Sequence, residues 1–362
     1  LNLFGISADN ANLHIARLRN DWEATISSAD INGKIAIPDD LENGTVTLNF
    51  DRLKIISNQS GEDNSRIDPG KIPRLHMVID DFSTNDLNLG KMIVKTTKIK
   101  NGISIDTIRF MKPDLQINGA GHWRKEDGID DSQFNLDLRA NDLAAMLETF
   151  GYSKAAIEEG ETSMNLAARW FGTPMDFSLG NVNGTLNLDI KKGQFLNLQP
   201  TAGRLFGLLS LQTLPRRLAL DFSDLFDKGF SFDQINGNFT LEDGNAYTNN
   251  LFMRGPSADI IVSGRTGLQS HDYDQIVTIT PQVSSSLPVA SALFGPVGVG
   301  VGAVIYLAGE IFDVIPEQID RLLRYQYSIT GSWDEPVVEK LKTVPDEKNE
   351  GTSKDIRSKS TG

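Results

Sequence analysis

Apolar residues alternate with polar residues in short runs along most of the chain. In residues 45–50, Val46, Leu48 and Phe50 alternate with threonine and asparagine, and Asn43-Gly44 stands directly before them. A period of two is typical of a β-strand with one apolar face and one face in water. Asn-Gly is a hairpin-turn signal. The pattern therefore predicts a series of strands joined largely by hairpins.

The same alternation returns as far as the C-terminal region. The further predicted strands carry the apolar sets Leu75, Met77 and Ile79; Ile103 and Ile105; Leu115 and Ile117; Phe134, Leu136 and Leu138; Met164, Leu166, Ala168 and Trp170; Leu186, Leu188 and Ile190; Phe239 and Leu241; Ile260 and Val262; and, in the last strand that we expect, Tyr325, Tyr327 and Ile329. At about 4.8 Å between strands, roughly 15 to 20 strands extend over roughly 70–95 Å. Such a sheet buries its apolar face by closing as a β-sandwich, by pairing with another sheet or by holding an apolar ligand in an open groove. The alternation is compatible with all three.

A short pattern ending in glycine recurs along the predicted strands. An apolar residue, one further residue and then glycine occur at residues 31–33, 117–119, 182–184, 235–237, 262–264 and 329–331. The spacings vary from 27 to 86 residues, which excludes a solenoid of fixed period. Glycine in a strand permits bending and close approach of backbones, although Asn-Gly is also simply a common turn. We interpret the pattern as hairpins added to one sheet with variable loops.

Few helices are predicted. Asp142 is a candidate N-cap for a helix with apolar residues at Leu143, Met146, Leu147 and Phe150. A second short helix is expected at residues 152–159, and others at 203–214, 223–228 and 316–323. The chain therefore divides into β-groove repeats at 1–140, a helical insertion with continuing strands at 141–200, a C-terminal region at 201–341 and a disordered tail at 342–362.

Residues 287–309 form an uncharged apolar segment of 23 residues. About 20 apolar residues span a bilayer core, but two prolines and five glycines interrupt this segment. It therefore favours short helices or a re-entrant hairpin, which either dips into a membrane and opens the groove or plugs the end of the sheet. The predicted membrane-contact or groove-mouth residues are Leu205, Phe206, Leu209, Leu293, Phe294, Val297, Val301 and Ile305.

Composition and motifs exclude several classes of function. The net charge of -13 in 362 residues argues against nucleic acid as a partner and against a basic face for anionic headgroups. The chain has no cysteine, and its four histidines are scattered outside any metal-binding or nucleophile motif. Residues 298–303 match the dinucleotide-binding pattern GxGxxA but lack its strand–turn–helix context. We therefore predict no enzyme, no cofactor and no metal site.

Three segments resemble a known family. They are GRLFGLLSLQTLPRRLALDFSDLFDKGFSFDQINGNFTLEDG at 203–244, LFGPVGVGVGAVIYLAGEIF at 293–312 and YSITGSWDEPVVEKL at 327–341. They are similar to the C-terminal part of AsmA-like proteins, most closely the YhdP-type members. Residues 1–140 share only the general character of these sequences and none of the specific motifs. The resemblance implies a protein of the Gram-negative envelope, anchored in the inner membrane by an N-terminal helix absent here and extending through the periplasm. It also implies a long β-groove, like that of bridge-like lipid transfer proteins, which carries phospholipid toward the outer membrane. The family supplies no catalytic residues.

We therefore expect a mainly β protein, with a long, twisted antiparallel sheet curled into an open apolar groove and a few short amphipathic helices toward the C-terminal end. The expected function is non-enzymatic phospholipid transfer between inner and outer membranes, with this chain as the distal C-terminal part. Its partners would be phospholipid acyl chains, the inner leaflet of the outer membrane and the inner membrane through the missing anchor. The predicted groove-lining residues are Leu186, Leu188, Ile190, Phe239, Leu241, Ile260 and Val262.

Two alternatives remain at this point. The first is a structural or assembly factor for outer-membrane proteins, whose working surface would be the edge strands of the sheet. The second is a membrane-anchored hydrolase of envelope polymers, which requires a cluster of carboxylates or a Ser/His pair. The sequence shows no such cluster.

Overall fold

The chain is built almost entirely from β-strands. The computed structural model describes residues 2–3, 6–7, 11–19, 21–55, 67–84, 87–150, 157–195, 230–282, 305–307, 310–312 and 325–341. Its strands are β1 (Asn2–Leu3), β2 (Ile6–Ser7), β3 (Asn12–Leu18), β4 (Asp21–Ser27), β5 (Ile31–Pro38), β6 (Thr45–Ile55), β7 (Arg74–Thr84), β8 (Leu87–Ile99), β9 (Gly102–Met111), β10 (Leu115–Glu126), β11 (Ile129–Ala140), β12 (Ile157–Phe171), β13 (Asn183–Phe195), β14 (Phe230–Glu242), β15 (Asn245–Arg254), β16 (Ala258–Gly267), β17 (Asp272–Pro281), β18 (Ile305–Leu307), β19 (Glu310–Phe312), β20 (Tyr325–Ser332) and β21 (Pro336–Lys340). Helix α1 is Leu143–Thr149, and single 3₁₀ turns occur at Pro69–Lys71 and Pro174–Asp176.

One long open sheet contains most of these strands. Strands β3 to β17, followed by β20 and β21, each pair with the next strand in chain order. Among the described strands, β3 pairs only with β4 and β21 only with β20, so the two form the edges of the sheet. The small ladders β1–β2 and β18–β19 are separate. The prediction of a mainly β chain built around a long open antiparallel sheet is confirmed.

One pairing in this sheet is parallel. Strands β6 and β7 run in the same direction, with Phe50 opposite Ile79 and Leu48 opposite Met77. Parallel neighbours cannot be joined by a tight hairpin, so the chain recrosses the width of the sheet between the two strands. The 3₁₀ turn at Pro69–Lys71 lies on this return path and is capped by Asp68, whose carboxylate accepts a hydrogen bond from the backbone N–H of Gly70 at 3.0 Å.

The strands end at two long rims. The helix rim contains α1 and the connections 28–30, 112–114 and 255–257. The turn rim lies on the opposite side and contains the connections 39–44, 100–101, 127–128, 172–182, 243–244 and 268–271. The chain leaves the sheet at the helix rim after Phe195 and again after Pro281, and it re-enters at the same rim at Phe230 and Tyr325.

A single apolar face runs along the sheet. Side chains of directly opposed residues lie on the same face, and one row of opposed residues crosses β4 to β14 as Ala24, Ile35, Leu48, Met77, Val94, Ile108, Gly119, Leu136, Leu166, Leu186 and Phe239. Buried residues form two hydrophobic clusters, both of which Val94 and Phe110 contact. The apolar face is therefore continuous from the N-terminal to the C-terminal strands.

The recurring glycines all lie within strands, on this apolar face. At Gly184 the backbone φ is +147°, and a Cβ atom would lie 1.9 Å from the carbonyl oxygen of Ala167. At Gly264 φ is +132°, and a Cβ atom would lie 2.3 Å from the carbonyl oxygen of Asp274. A side chain is excluded at both positions because the neighbouring backbone occupies its space. Glycines in strands are a recognised means of bending a sheet.

The structure also tests the local predictions. The helix capped by Asp142 is confirmed, since the Asp142 carboxylate accepts a hydrogen bond from the Ala145 N–H at 3.1 Å. The prediction of a second helix at 152–159 is wrong for Ile157–Glu159, because these residues begin β12. The strand predicted at Tyr325 is present as β20, but it is not the last strand, because β21 follows it. The predicted helices at 203–214, 223–228 and 316–323 and the tail lie outside the described residues. The four-part division of the chain stays a prediction.

Candidate functional site

The candidate site is the apolar face of the central strands, β9 to β13. In the middle of these strands Leu136 lies opposite Leu166, and Leu138 opposite Met164. Met164 in turn lies opposite Leu188 on β13. We call these five mid-strand residues, Leu136, Leu138, Met164, Leu166 and Leu188, the central strip. On β9 to β13 the apolar face carries no charged residue in the middle of the strands.

The central strip is less covered by protein than the ends of the same strands. All five of its side chains are half-buried. Toward the helix rim Leu115, Ala140 and Ile190 are buried, and toward the turn rim Trp123 and Phe134 are buried. The apolar face therefore has a partly exposed middle between two buried borders. This arrangement differs from an ordinary core, where burial is greatest at mid-strand.

Helix α1 builds the border at the helix rim. Its side chains Leu143 and Met146 are buried against the sheet. Gly160 of β12 lies beneath the helix, with φ +100°, and a Cβ atom there would lie 3.0 Å from the Cβ of Leu143. The Asp142 cap satisfies one of the backbone N–H groups that the first helical turn leaves without a partner.

Aromatic residues build the border at the turn rim. Trp170 stacks on Phe134 with ring centroids 5.5 Å apart, and Phe177 meets it edge-on at 5.2 Å. The indole N–H of Trp170 donates to the Thr173 carbonyl at 2.8 Å. The indole N–H of Trp123 donates to the Asp130 carboxylate, also at 2.8 Å. Each ring thus buries its apolar body while its polar group is satisfied at the edge of the sheet.

The C-terminal strands, β14 to β17 and β20, continue the apolar face and bury it along the middle of the strands. Their mid-strand side chains are at most 2% exposed and include Ile235, Leu251, Met253, Ile260, Val262, Val277, Ile279 and Tyr327. Gln275 is also buried there, and its amide N–H donates to the Thr266 hydroxyl at 2.6 Å. Burial raises the pKa of Tyr273 above its ordinary value, with a further contribution from the charge of Asp334.

The seven predicted groove residues lie on the same face. Leu186, Leu188 and Ile190 alternate along β13, opposite Phe239, Gly237 and Ile235 of β14. Six of the seven are buried and only Leu188 is half-buried. Their role as a lining stays a prediction. Four members of the central strip, Leu136, Leu138, Met164 and Leu166, are not in the predicted lining, although their alternation is visible in the sequence.

Most predicted membrane-contact residues lie outside the described part of the chain. These are Leu205, Phe206, Leu209, Leu293, Phe294, Val297 and Val301, whereas Ile305 is the first residue of β18 and pairs with Phe312. The described strands that flank residues 196–229 and 282–324 all end or begin at the helix rim. The chain therefore leaves and re-enters the sheet for both segments at the rim that contains α1.

The described residues contain no group of His, Asp or Glu side chains that could hold a metal ion. Within the same part of the chain, no helix has both the length and the apolar character needed to cross a bilayer.

Comparison with known proteins places these features in a family. The sequence model of the YhdP protein family matches residues 1–338. A curated relative, the intermembrane phospholipid transporter YhdP of Escherichia coli (strain K12), is 26% identical over 232 residues. The matched region covers 64% of this chain but only 18% of that relative. No solved structure matches the chain.

Proposed function

The chain belongs to the YhdP protein family, and from that premise we propose that it carries phospholipid with the acyl chains lying on its apolar face. The observation that supports this proposal is the partly exposed central strip. Five apolar side chains there keep contact with water although the strand ends on both sides of them are buried. An acyl chain on the strip would cover these side chains and would itself leave water.

The energetic reason for placing a lipid tail on an apolar face is the free-energy cost of exposing that tail to water. Moving a 16-carbon chain into water costs on the order of 12 kcal/mol, at ~0.8 kcal/mol per CH₂ group. A continuous apolar face lowers that barrier without breaking or forming a covalent bond. The polar headgroup can stay in water beyond the strand ends. Because the curated relative is named as a transporter, we propose transfer rather than catalysis for this chain as well.

The place of the chain in the cell is part of the same proposal. We place it in the periplasm of a Gram-negative bacterium, as one part of a longer protein anchored in the inner membrane. Its lipid would be delivered to the inner leaflet of the outer membrane. The length of the curated relative supports this view, since the matched region is a small part of it. The residues 287–309 would provide the membrane contact.

Native mass spectrometry tests the proposal. The detergent-free chain is expected to carry phospholipid. Leu166→Asp, which places a charge in the central strip, is expected to abolish the bound mass. The matched control is Ala167→Asp, one residue farther along the same strand, where the side chain is exposed on the opposite face. This control should retain lipid.

Two outcomes contradict the proposal. One is the absence of phospholipid from the wild-type chain purified without detergent. The other is equal lipid content in Leu166→Asp and Ala167→Asp when circular dichroism shows that both are folded. If Leu166→Asp does not fold, the milder Leu136→Gln makes the same test, because Leu136 lies directly opposite Leu166.

A specific observation favours a second function, that of an assembly factor working through edge strands. Strand β3 is an edge, and its apolar-face residues Leu13 and Ile15 are 44% and 56% exposed. It lacks the proline and short length that protect β21 at the other edge. Crosslinking from His14 to a client protein, without lipid crosslinking in the central strip, would favour this function.

A further inference from the structure

The last residue of β12 and the connection that follows it expose four large apolar side chains. Within nine residues Phe171 is 69% exposed, Met175 73%, Phe177 43% and Leu179 46%. We call residues 171–182 the apolar loop. It lies at the turn rim, and Ile129, also exposed, lies beside it at the start of β11. Large exposed apolar sets of this kind mark interaction surfaces in soluble proteins.

Internal hydrogen bonds hold the apolar loop in this conformation. The Asp176 carboxylate accepts hydrogen bonds from the Thr173 N–H at 2.7 Å and from its hydroxyl at 2.9 Å. The Asn181 side chain accepts from the Ser178 N–H at 3.0 Å and donates to the Asp176 carbonyl at 3.0 Å. The Thr173 carbonyl accepts from Trp170. The exposed side chains are thus presented on an ordered turn, which reduces the entropy lost on binding.

The apolar loop offers almost no charge to a partner. Asp176 is its only charged residue, and its carboxylate is used within the loop. In the whole chain 23% of residues are charged. Arg169 and Asp131, which lie beside Phe171, form an ion pair at 2.7 Å. The exposed side chains of the loop are therefore mainly apolar, the ion pair beside Phe171 is balanced, and the adjoining turn carries the acidic Asp243.

We propose that the apolar loop docks on the interfacial region of a phospholipid bilayer, with a preference for zwitterionic lipid. The loop presents apolar side chains to this region, and its one charge, the Asp176 carboxylate, is already hydrogen-bonded to Thr173. The net charge of -13 opposes both an anionic surface and a second copy of the chain. The choice of lipid over a protein partner rests on the proposed function, because a lipid carrier has to meet a bilayer.

This contact is separate from the one predicted at residues 287–309. The apolar loop lies at the turn rim, whereas the chain leaves and re-enters for that segment at the helix rim. The two rims flank the apolar face. A bilayer contact at the turn rim would therefore place lipid at the rim of the apolar face that lies opposite the helix rim.

A fluorescent label tests the docking directly. The chain has no cysteine, so Leu179→Cys can carry a single environment-sensitive fluorophore on the whole 362-residue chain. The matched control is Leu41→Cys, since Leu41 is also 46% exposed and lies at the same rim, but among Asp39, Asp40 and Glu42. With vesicles of phosphatidylcholine and phosphatidylethanolamine, we expect a blue shift and a several-fold rise in emission at position 179. Position 41 should not change.

A second measurement separates docking from lipid carriage. Phe171→Ser combined with Met175→Ser should reduce flotation with these vesicles several-fold while the lipid bound to the chain, read by native mass spectrometry, is unchanged. Because both side chains are exposed, the variant is expected to fold. If the label responds but the wild-type chain carries no lipid, docking stands and the proposed function fails.

Four results overturn the docking proposal. They are an unchanged label at position 179 on vesicles, an equal response at position 41, a response that requires phosphatidylglycerol, and unchanged flotation of the double variant. If the label at position 179 responds to a raised concentration of the chain but not to vesicles, the partner is a second copy of the chain. One that responds to periplasmic proteins but not to vesicles would identify a protein surface. Either result also overturns docking on lipid.

Discussion

The central strands and the C-terminal strands share one sequence pattern but differ in how their apolar face is covered. The comparison is clearest between Leu166 on β12, which is half-buried, and Ile260 on β16, which is 1% exposed. Both lie on the same face of the sheet, within strands that alternate apolar and polar residues. The difference teaches that alternation predicts which face is apolar, whereas the surroundings of each strand decide whether protein covers that face.

The two regions therefore have different physical roles. On the C-terminal strands the apolar side chains are in contact with other protein groups, so their burial contributes directly to the free energy of folding. On the central strands the same kind of side chain remains partly in water, so its burial by the protein alone contributes less to the free energy of folding. We expect substitutions to reveal this division as a contrast between lost stability and lost lipid.

The largest expected effect is on the buried face. Ile279→Ala should lower the free energy of unfolding by about 3–4 kcal/mol, because Ile279 is fully buried and the change leaves a cavity. Its counterpart Leu138→Ala should cost about 1–2 kcal/mol, since Leu138 is half-buried and loses fewer contacts. Urea unfolding of the lipid-free chain measures both. Equal losses in the two variants would break the comparison.

A smaller effect is expected at the turn rim of the C-terminal strands. Arg265 donates two hydrogen bonds to the Asp272 carboxylate, at 3.0 and 2.6 Å. These bonds hold the pKa of Asp272 below its ordinary value of 3.8. Asp272→Asn should therefore cost about 1 kcal/mol at neutral pH, since the pair is partly exposed.

The pH dependence of this loss has a defined sign. A carboxylate with a lowered folded-state pKa contributes stability above its unfolded-state pKa and loses it as the pH falls through the folded-state pKa. The difference between wild type and Asp272→Asn should thus be constant near neutral pH and shrink below pH 3.8. Asp127→Asn, at an exposed turn of the central strands, is the control and should show little effect. A difference that persists unchanged in acid would exclude the electrostatic explanation.

The smallest effect is expected at the helix rim of the central strands. Asp142→Ala removes the cap of α1 and should cost about 0.5–1 kcal/mol. Because α1 covers the border of the central strip, amide exchange should increase in α1 while the C-terminal strands stay protected. Asn141→Ala, one residue earlier, is the matched control. Faster exchange throughout the sheet would mean that the two regions unfold together.

Much of the fold can be predicted from local pattern. The strands are predictable because a strand with one buried face has its apolar side chains on that face. Phe134, Leu136 and Leu138 show this directly, since they alternate with polar residues along β11. Helix α1 is predictable from its cap and its spacing. Strand β21 escapes prediction because it is short and begins with Pro336, which is typical of an edge.

The remaining features depend on contacts between distant residues. Nothing in residues 45–55 or 74–84 alone indicates that β6 and β7 run parallel, because alternation is the same in both orientations. The contrast between the half-buried Leu188 and the buried Val262 is equally invisible in sequence. For the candidate site, the apolar face can be predicted, but its partly exposed strip requires the structure.

The pairing of neighbouring strands in chain order has a consequence for the order of folding. Each strand of the sheet pairs with the strand that precedes it in the sheet, so the sheet can grow strand by strand as the chain is synthesised. Closure of longer connections is needed at 56–73, 196–229 and 282–324. Loop-closure entropy rises only by about 0.6 kcal/mol for each doubling of length. A sheet of 17 strands can thus assemble from one end, with each new strand pairing at the growing edge.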